Sequence, residues 1–294
     1  NYVIDKTEGK LIITASDDQI LITAPDKTKS YDGTPLTSVD AGQATVVMPA
    51  GYETYTVNVV TSGTVLNVSQ GAVDNKIESY KVLAPNGDDV TSQFTNVRTV
   101  NGKLSISKRD VELTSDSIER VYDGTELTAP NVTVVKDFVA GEVTDIKATG
   151  KITEVGEVPN VIEYTQTARF DADNYNIVKH EGKLKITAST AVIKVTPKSA
   201  EKVYDGQDLT RNDYDIEGLP NGFTAEVAVA GSIKNVGTVD NTITSVVIKK
   251  GNKDVTSQFP NIVKNKGALK VTPKSVTLTS GSDTKQYDGK PLTK

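Results

Sequence analysis

The sequence predicts an all-β protein made of tandem β-sandwich modules. Thr and Val are abundant, whereas aromatic residues make up only 5% of the chain and Trp is absent. Burial must therefore rely mainly on β-branched side chains, which suit pleated surfaces. The apolar segments alternate with a period of two, and no helical period stands out. One short motif also recurs at domain-sized intervals, which indicates several similar modules.

The recurring motif is Tyr-Asp-Gly, with Lys or Arg two residues before the Tyr and Leu four residues after the Asp. Its copies are Tyr31-Asp32-Gly33, Tyr122-Asp123-Gly124, Tyr204-Asp205-Gly206 and Tyr287-Asp288-Gly289. The tyrosines are separated by 91, 82 and 83 residues. These intervals exceed those of solenoid repeats, so each unit should fold as a separate domain.

The motif has the chemistry of a tight turn that follows a strand. Asp-Gly tolerates positive φ, and a β-branched or aromatic residue just before it favours a half-buried strand. We therefore expect positive φ at Gly33, Gly124 and Gly206, with the Tyr ring and the Leu packed inward. The alternative is that the Tyr-Asp pair contacts a ligand.

The chain length of 294 residues suits about three domains. The repeat marks predict three complete repeats, named here repeat one (17–108), repeat two (109–189) and repeat three (190–273). Residues 1–16 match the end of a preceding repeat, and residues 274–294 match the start of a following one. This predicts a piece of a longer array, with both end segments ordered by packing.

Repeat two shows the order of elements most clearly. Its predicted strands are Val111–Thr114, Ile118–Tyr122, Val132–Val135, Val143–Ala148, Val161–Phe170, Tyr175–His180 and Lys183–Thr187. The last two should form a hairpin through Glu181-Gly182, with equivalents at Asn101-Gly102 and Lys266-Gly267. About seven strands in such a unit match an Ig-like sandwich. A β-grasp module is the alternative, but the one candidate helix, Asp40 to Ala44, lacks apolar residues at i, i+4 spacing.

The connections between repeats contain only a few residues. They are Ser107–Asp110, Ala188–Ala191 and Thr272–Ser275, the last with a Pro. Such connections are too short to act as flexible tethers. An extended rod is expected.

With these marks in place, the units resemble the MBG and YDG-type repeats of large surface proteins of Firmicutes. The resemblance rests on Tyr-Asp-Gly-Thr-x-Leu-Thr, Gly-x-Ile-x-x-Val-Gly-x-x-x-Asn, Val-Thr-Ser-Gln-Phe and Gly-Lys-Leu-x-Ile-Thr, and it covers nearly the whole chain. It implies extracellular modules of an adhesin-like protein on the bacterial cell surface or cell wall. It transfers no catalytic residue.

Charge and composition exclude several classes of function. The net charge is −5 and no basic stripe is present, which disfavours nucleic-acid binding. Cysteine is absent, so thiol chemistry and disulfides are excluded. No apolar run approaches 18 residues, and direct membrane insertion is not expected.

No pattern predicts a catalytic, cofactor-binding or metal residue, and the chain is predicted not to be an enzyme. The single histidine, His180, has no nucleophile elbow to serve and should lie on the surface. The carboxylate pairs Asp88-Asp89 and Asp171/Asp173 lack the spacing of a calcium loop. A Lys to Asn or Asp isopeptide cross-link stays open, because both partners are plentiful.

Two functions follow from the sequence. The first is a stiff stalk, monomeric within a longer chain, that projects a binding region. The second is that the repeats themselves bind a host mucin, glycan or immunoglobulin multivalently. Tyr52 and Phe223 are the candidate ligand contacts, since each follows a Gly turn, although repeat two has Glu142 at that position.

Overall fold

The computed structural model describes residues 1–293 and confirms the all-β class. Strands hold 48% of the residues and helices 5%. The α-helix of the described residues, α1 (Ser38–Ala41), has four residues and starts two positions before the predicted stretch. Thr37 and Asp40 cap it through reciprocal hydrogen bonds. The long amphipathic helix of a β-grasp module is absent from residues 1–293, so the sandwich interpretation holds.

By its contacts the chain divides into two compact units. Unit one contains Asn1–Asp116, Ala129–Gly150 and Pro159–Gly182, and unit two contains Ser117–Thr128, Lys151–Val158 and Lys183–Lys294. The strands of repeat two are thus shared between the units, whereas repeat one and repeat three each lie within one.

Repeat one contains two main sheets and a short two-stranded ladder. Its strands are β1 (Ile20–Thr23), β2 (Lys27–Ser30), β3 (Leu36–Thr37), β4 (Thr45–Val47), β5 (Thr56–Ser62), β6 (Thr64–Val65), β7 (Val73–Leu83), β8 (Val97–Val100) and β9 (Gly102–Ser107). The sheets have the orders β4-β1-β8, β2-β9-β7-β5 and β3-β6. Alternate residues point inward, and Ile20, Ile22, Val82 and Leu104 are fully buried. This is an Ig-like sandwich.

Repeat two uses the same order of elements. Its strands are β10 (Arg109–Ser115), β11 (Ile118–Val121), β12 (Leu127–Thr128), β13 (Val132–Lys136), β14 (Val143–Ala148), β15 (Lys151–Ile152), β16 (Gly156–Asn160), β17 (Ile162–Gln166), β18 (Tyr175–His180) and β19 (Gly182–Thr187). Sheets β13-β10-β18 and β14-β17 lie in unit one. The ladder β12-β15 and nearly all of the sheet β11-β19-β16 lie in unit two.

Repeat three forms two sheets in unit two. Its strands are β20 (Ile193–Pro197), β21 (Ala200–Val203), β22 (Tyr214–Glu217), β23 (Thr224–Ala230), β24 (Gly237–Lys250), β25 (Lys253–Asp254), β26 (Ile262–Lys264) and β27 (Lys266–Thr272). The sheet orders are β22-β20-β26 and β21-β27-β24-β23, with β25 paired to β24. Its core includes Ile193, Val195, Ile248 and Leu269.

The predicted closing hairpins are wrong. In repeat one, β8 pairs parallel with β1 and β9 pairs parallel with β2, so the two strands lie in different sheets. The glycines between the paired segments are needed because another backbone approaches closely. A Cβ on Gly102 would collide with the carbonyl oxygen of Pro25, and Gly182 and Gly267 meet Asp116 and Pro197 in the same way. Glycine there permits a crossing of strands rather than a turn.

A fully buried asparagine stabilises this crossing in every repeat. These residues are Asn75, Asn160 and Asn241, each 0% exposed. Their side-chain amides donate to carbonyls where the first strand breaks, to Pro25 at 2.9 Å, Asp116 at 3.0 Å and Lys198 at 3.0 Å. The break leaves backbone acceptors without ladder partners, and the amide satisfies them.

The two end segments do not form the ordered strands that the sequence predicts for them. Residues 1–15 and 273–293 contain no strand, and side chains such as Leu11, Ile13 and Leu278 are exposed. A strand pair without the rest of its sandwich cannot bury a face and is marginal alone. No helix among residues 1–293 is long and apolar enough to cross a membrane.

Candidate functional site

The Tyr-Asp-Gly motif forms the same turn in all four copies. In each, the Asp Oδ1 accepts a hydrogen bond from the backbone N–H two residues later, at 2.8 to 3.1 Å. The glycines have φ of 79°, 76°, 81° and 71° in chain order, which confirms the predicted positive φ. The fourth copy lies in a segment without strands, so its own sequence suffices to form the turn.

A basic residue three positions before the Asp supports each turn. Lys29 Nζ lies 2.9 Å from the carboxylate of Asp32 and also donates to the hydroxyl of Thr34 at 2.8 Å. Desolvation would raise the pKa of Asp32, but the hydrogen bonds from Lys29 and Thr34 outweigh it and lower that pKa to about 2. Arg120, Lys202 and Lys285 pair with their own aspartates likewise.

The four tyrosines differ sharply in exposure although their turns are alike. Tyr31 is 4% exposed and Tyr122 is 6% exposed, whereas Tyr204 is 38% and Tyr287 is 94% exposed. The ring is therefore not buried by its own turn. The first two rings are buried by side chains of the following repeat.

Joint one is the contact of the Tyr31 turn with Val139, Glu142 and Tyr175 of repeat two, all within unit one. The hydroxyl of Tyr31 donates to Glu142 Oε1 at 2.6 Å, and the hydroxyl of Tyr175 donates to Glu142 Oε2 at 2.6 Å. Glu142 is 3% exposed, and both carboxylate oxygens have a donor. Such charge-assisted hydrogen bonds are among the stronger ones in proteins.

Packing and backbone contacts complete joint one. The rings of Tyr31 and Tyr175 meet edge to face with centroids 5.5 Å apart. The amide N–H of Val68 in repeat one donates to Asn174 Oδ1 at 2.9 Å, and Asn174 is fully buried. One buried apolar cluster includes Leu104 of repeat one and Val111 of repeat two. The core is thus continuous across this joint.

Burial shifts the tyrosine pKa values in joint one. Desolvation, with the hydrogen bond to Glu142 and its negative charge, raises the pKa of Tyr31 to about 12. The same causes raise the pKa of Tyr175 well above its usual range. An ionised phenol beside the carboxylate would be repelled, so the neutral donor is favoured.

Joint two is the contact of the Tyr122 turn with Phe223, Lys250 and Phe259 of repeat three, all within unit two. The ring of Tyr122 lies 6.0 Å from that of Phe223 and 5.8 Å from that of Phe259, between centroids. Lys250 Nζ lies 4.5 Å from the centroid of the Phe223 ring. Among residues 1–293 the hydroxyl of Tyr122 has no side-chain hydrogen-bond partner comparable to Glu142. Desolvation raises its pKa.

The backbone contact of joint two repeats that of joint one. The amide N–H of Val155 in repeat two donates to Gln258 Oε1 at 2.8 Å. Val155 and Val68 occupy matching positions in their repeats. Gln258 and Asn174 also match, because each is the last residue of a 3-10 helix. Lys253 also pairs with Glu154 across this joint. Two joints therefore use one scheme.

The receptor of the tyrosine is built from two elements in every repeat. The first is a turn whose glycine has positive φ, namely Gly51, Gly141 or Gly222, and the next residue is Tyr52, Glu142 or Phe223. The second is the aromatic residue directly after a 3-10 helix, namely Phe94, Tyr175 or Phe259. These helices are Thr91–Gln93, Ala172–Asn174 and Thr256–Gln258. The turn glycine sets the direction of the receptor side chain.

The candidate ligand aromatics both lie in this receptor position. Phe223 is 8% exposed inside joint two, which leaves little of its ring for a ligand. Tyr52 is half-buried against Phe94, with ring centroids 5.0 Å apart. Sequence reasoning treated Glu142 as the loss of an aromatic and assigned no role to Tyr175 or Phe259. All three residues lie at positions that recur from repeat to repeat, and this recurrence was the sequence signal that could have identified them.

The remaining candidates stay close to their own turns. His180 is exposed, as predicted, and lies 3.3 Å from Glu112. Asp171 caps a 3-10 helix by accepting from the N–H of Asp173 at 3.0 Å. Asp89 accepts from the hydroxyl of Thr91 at 2.6 Å. These carboxylates therefore serve local capping.

Comparison with known proteins gives only distant similarity. No family model and no curated protein matches the chain. Among solved structures, the I9–I11 tandem of titin is 12% identical and covers 85% of this chain and 97% of its own, with a TM-score of 0.24. Drosophila N-cadherin EC1-3 is 7% identical and covers 86% and 99%, with a TM-score of 0.21. Dscam1 isoform 8.4 is 10% identical and covers 86% and 72%, with a TM-score of 0.20. At these values the matches carry no argument, and the fold assignment rests on the sheets.

Proposed function

We propose that the chain is the non-enzymatic repeat region of a bacterial cell-surface adhesin of the MBG and YDG type, and that it acts as an extracellular stalk. The observation that carries this proposal is the pair of joints. In each, the tyrosine turn of one repeat is buried in a receptor of the next, together with a backbone-to-amide hydrogen bond. A connection held at several points resists bending between neighbouring repeats.

The chemistry of the joints supports a spacing role over catalysis. In joint one the charged and polar groups are occupied with one another, because both hydroxyls donate to Glu142. A catalytic carboxylate would need free access to a substrate. The geometry that the two joints share is what a spacer requires, because it makes the distance between the parts on either side reproducible.

Small-angle X-ray scattering tests the stalk. We expect the chain to give a maximum dimension close to three domains end to end and a narrow distribution of sizes. The double variant Tyr31→Ala with Tyr122→Ala should broaden that distribution while circular dichroism keeps its β signal. A compact wild-type particle, or equal distributions for both proteins, would contradict the stalk.

A pull-down distinguishes the stalk from the alternative function, which is multivalent binding to host mucin, glycan or immunoglobulin. A stalk should not retain these ligands, and Tyr52→Ala should change nothing. Retention that is lost in Tyr52→Ala would instead assign that aromatic to ligand binding.

A further inference from the structure

Repeat one has an insertion that the other two repeats lack. Nine positions separate Leu36 from the first residue of β4, whereas five separate Leu127 from the first residue of β13 and Leu209 from that of β22. The four additional residues match the length of α1, which directly follows β3. Since repeats two and three form their sheets without it, the insertion adds a feature that the sandwich itself does not require.

The inserted segment and β5 enclose a groove of about 520 Å³, called here the edge groove. One wall is formed by residues of the segment 38–44, and the other by residues of β5 between Val57 and Thr61. All of these residues lie in unit one. Tyr31, Tyr52, Val68 and Phe94, which occupy the joint positions of repeat one, do not line the edge groove. Contacts of the joint type therefore leave it uncovered.

β5 presents a free strand edge at the edge groove. It is the last strand in the order β2-β9-β7-β5, and it pairs with β7 alone. The backbone N–H and C=O groups of β5 that point away from β7 have no ladder partners. A row of such groups can pair with a strand supplied by another polypeptide.

The corresponding edges of the other repeats carry charges that oppose the addition of a strand. In repeat two, β14 contains Lys147 and also Asp145, whose φ is 57°. In repeat three, β23 contains Glu226, which pairs with Lys249. Natural sheets protect their edges with charges of this kind. β5 has the sequence Thr-Val-Asn-Val-Val-Thr-Ser and no charge, so its edge lacks this protection.

A well-exposed apolar side chain stands at the rim of the edge groove. Val39 on α1 is 89% exposed, and no other large apolar residue between positions 14 and 275 reaches that value. Inside the groove, Ala44, Val57 and Val59 are only half-buried although they pack against the core of repeat one. An added strand would remove apolar surface of these residues from water.

We propose that the edge groove binds an extended, uncharged polypeptide segment of a partner protein, which pairs with β5 as an added strand. Backbone hydrogen bonds to β5 would hold the segment, and its inward side chains would meet Ala44, Val57 and Val59. Val39 would pack against it from the rim. The inference goes beyond the stalk and does not depend on it, because the site belongs to repeat one alone.

The walls of the edge groove specify the chemistry of this segment. The part of β5 that lines the groove, Val57 to Thr61, corresponds to about five residues of an extended partner. The lining side chains are uncharged, so a charged residue of the segment would lose water without gaining a partner. Proline is also excluded, since it lacks the N–H that the pairing needs. A second copy of the chain is a poorer occupant, because its own β5 is accompanied by an inserted helix.

Backbone pairing is tested with a fluorescent heptapeptide, Thr-Val-Thr-Val-Thr-Val-Thr, whose binding to the whole chain is followed by fluorescence polarisation. Two further peptides carry N-methyl groups on alternate amides, one on the odd set and one on the even set. In an added strand only one set faces β5. Methylation of that set should weaken binding about tenfold or more, and methylation of the other should leave most of it. Absence of binding by the unmodified peptide, or the same result with both methylated peptides, would overturn the proposal.

Matched charge variants locate the site on the protein. Val39→Glu combined with Asn58→Glu places two charges at the edge groove, and Lys81 lies opposite Asn58 in the ladder. Val47→Glu combined with Val60→Glu is the control, since both residues are more than half exposed and neither lines the groove. The first pair should weaken the heptapeptide about tenfold, and the control pair less than about twofold. Equal losses in the two pairs would place the peptide elsewhere.

Hydrogen exchange and sedimentation complete the test. Saturation with the heptapeptide should slow amide exchange in β5 and the segment 38–44, while β14 and β23 stay unchanged. Slowed exchange in β14 or β23 to the same extent would contradict a site confined to repeat one. Wild-type chain without peptide should sediment as a monomer at the concentrations used for binding. A dimer that Val39→Glu with Asn58→Glu abolishes would assign the edge groove to a second copy and overturn the proposed partner.

Discussion

Joint one and joint two hold the same tyrosine turn with different chemistry. In joint one the hydroxyl of Tyr31 reaches a buried carboxylate that Tyr175 shares. In joint two Phe223 takes the place of Glu142 and Phe259 that of Tyr175, and the tyrosine makes only ring contacts. The receptor is thus defined by its backbone positions, and its side chains change as a set.

The set includes a third position. The N–H of Val139 donates to the hydroxyl of Tyr175 at 3.0 Å, and joint two has Pro220, which has no N–H, at the matching position. Phe259 has no hydroxyl that could accept a hydrogen bond, and Pro220 has no backbone N–H that would need one. Joint two therefore leaves no donor unpaired at this position. Repeat one has Pro49, Tyr52 and Phe94 at these positions and therefore resembles joint two.

Exchanging the chemistry of the joints gives the largest expected effect. Glu142→Phe removes the acceptor of two buried hydroxyls and should cost about 2 to 4 kcal/mol of unfolding free energy. Adding Tyr175→Phe and Val139→Pro should recover at least half, because it reproduces the set of joint two. Denaturant unfolding combined with hydrogen exchange in repeats one and two measures both. A triple variant no more stable than the single one would show that the sets are not interchangeable.

The second-largest expected effect comes from removing one tyrosine hydroxyl, and it should differ between the two joints. Tyr31→Phe leaves one oxygen of Glu142 without its donor and should destabilise by about 1.5 to 3 kcal/mol. Tyr122→Phe should cost less than about 0.5 kcal/mol, since its hydroxyl has no such partner. The same unfolding measurement applies to both. Equal losses would contradict the different roles of the two hydroxyls.

Alkaline pH should weaken joint one. The pKa of Tyr31 in the folded chain is about 12, against 10 for an unperturbed tyrosine. The contribution of Tyr31 to the free energy of unfolding is therefore complete below pH 10. It falls by roughly 1.4 kcal/mol per pH unit as the pH rises toward 12, because in this range the tyrosine loses its proton only in the unfolded chain. Tyr31→Phe should flatten this fall in pH-dependent unfolding of the chain. An unchanged slope would place the effect on other tyrosines.

Glycine substitutions give the smallest difference. Gly206→Ala reports only the cost of positive φ, about 1 kcal/mol. Gly33→Ala adds a contact, because its Cβ would lie 2.7 Å from Val139 Cγ1, and should cost roughly 1 kcal/mol more. Melting temperatures of the two variants provide the comparison. If Gly206→Ala is the more destabilising, the joint does not constrain the turn.

Local signals predicted much of this molecule. The Asp-Gly turn depends on residues within a few positions, and its positive φ was predicted at Gly33, Gly124 and Gly206. Strands such as β14 and β18 were predicted with their observed ends. Contacts between distant parts of the chain left no local signal. Glu142 lies 111 residues from Tyr31, and the residues adjacent to either one do not predict that the two are in contact.

Gly102 shows why the strand crossing was mistaken for a hairpin. A Gly after Asn between two apolar segments is the usual mark of a two-residue turn. The same glycine is required where β2 approaches β9 in parallel, with Lys27 opposite Leu104. Both situations demand the absence of a Cβ, so residue type alone cannot distinguish them.

The parallel pairing of the first two strands with the last two, β1 with β8 and β2 with β9, determines how a repeat bears tension. The chain enters repeat one at Ile20 opposite Val97 and leaves it at Ser107 opposite Ser30. A pull on these two points slides the strands past each other along their length. The interstrand hydrogen bonds are then loaded together, whereas an antiparallel hairpin pulled from its open end would unzip one bond at a time. Each repeat is therefore oriented to resist stretching by shear.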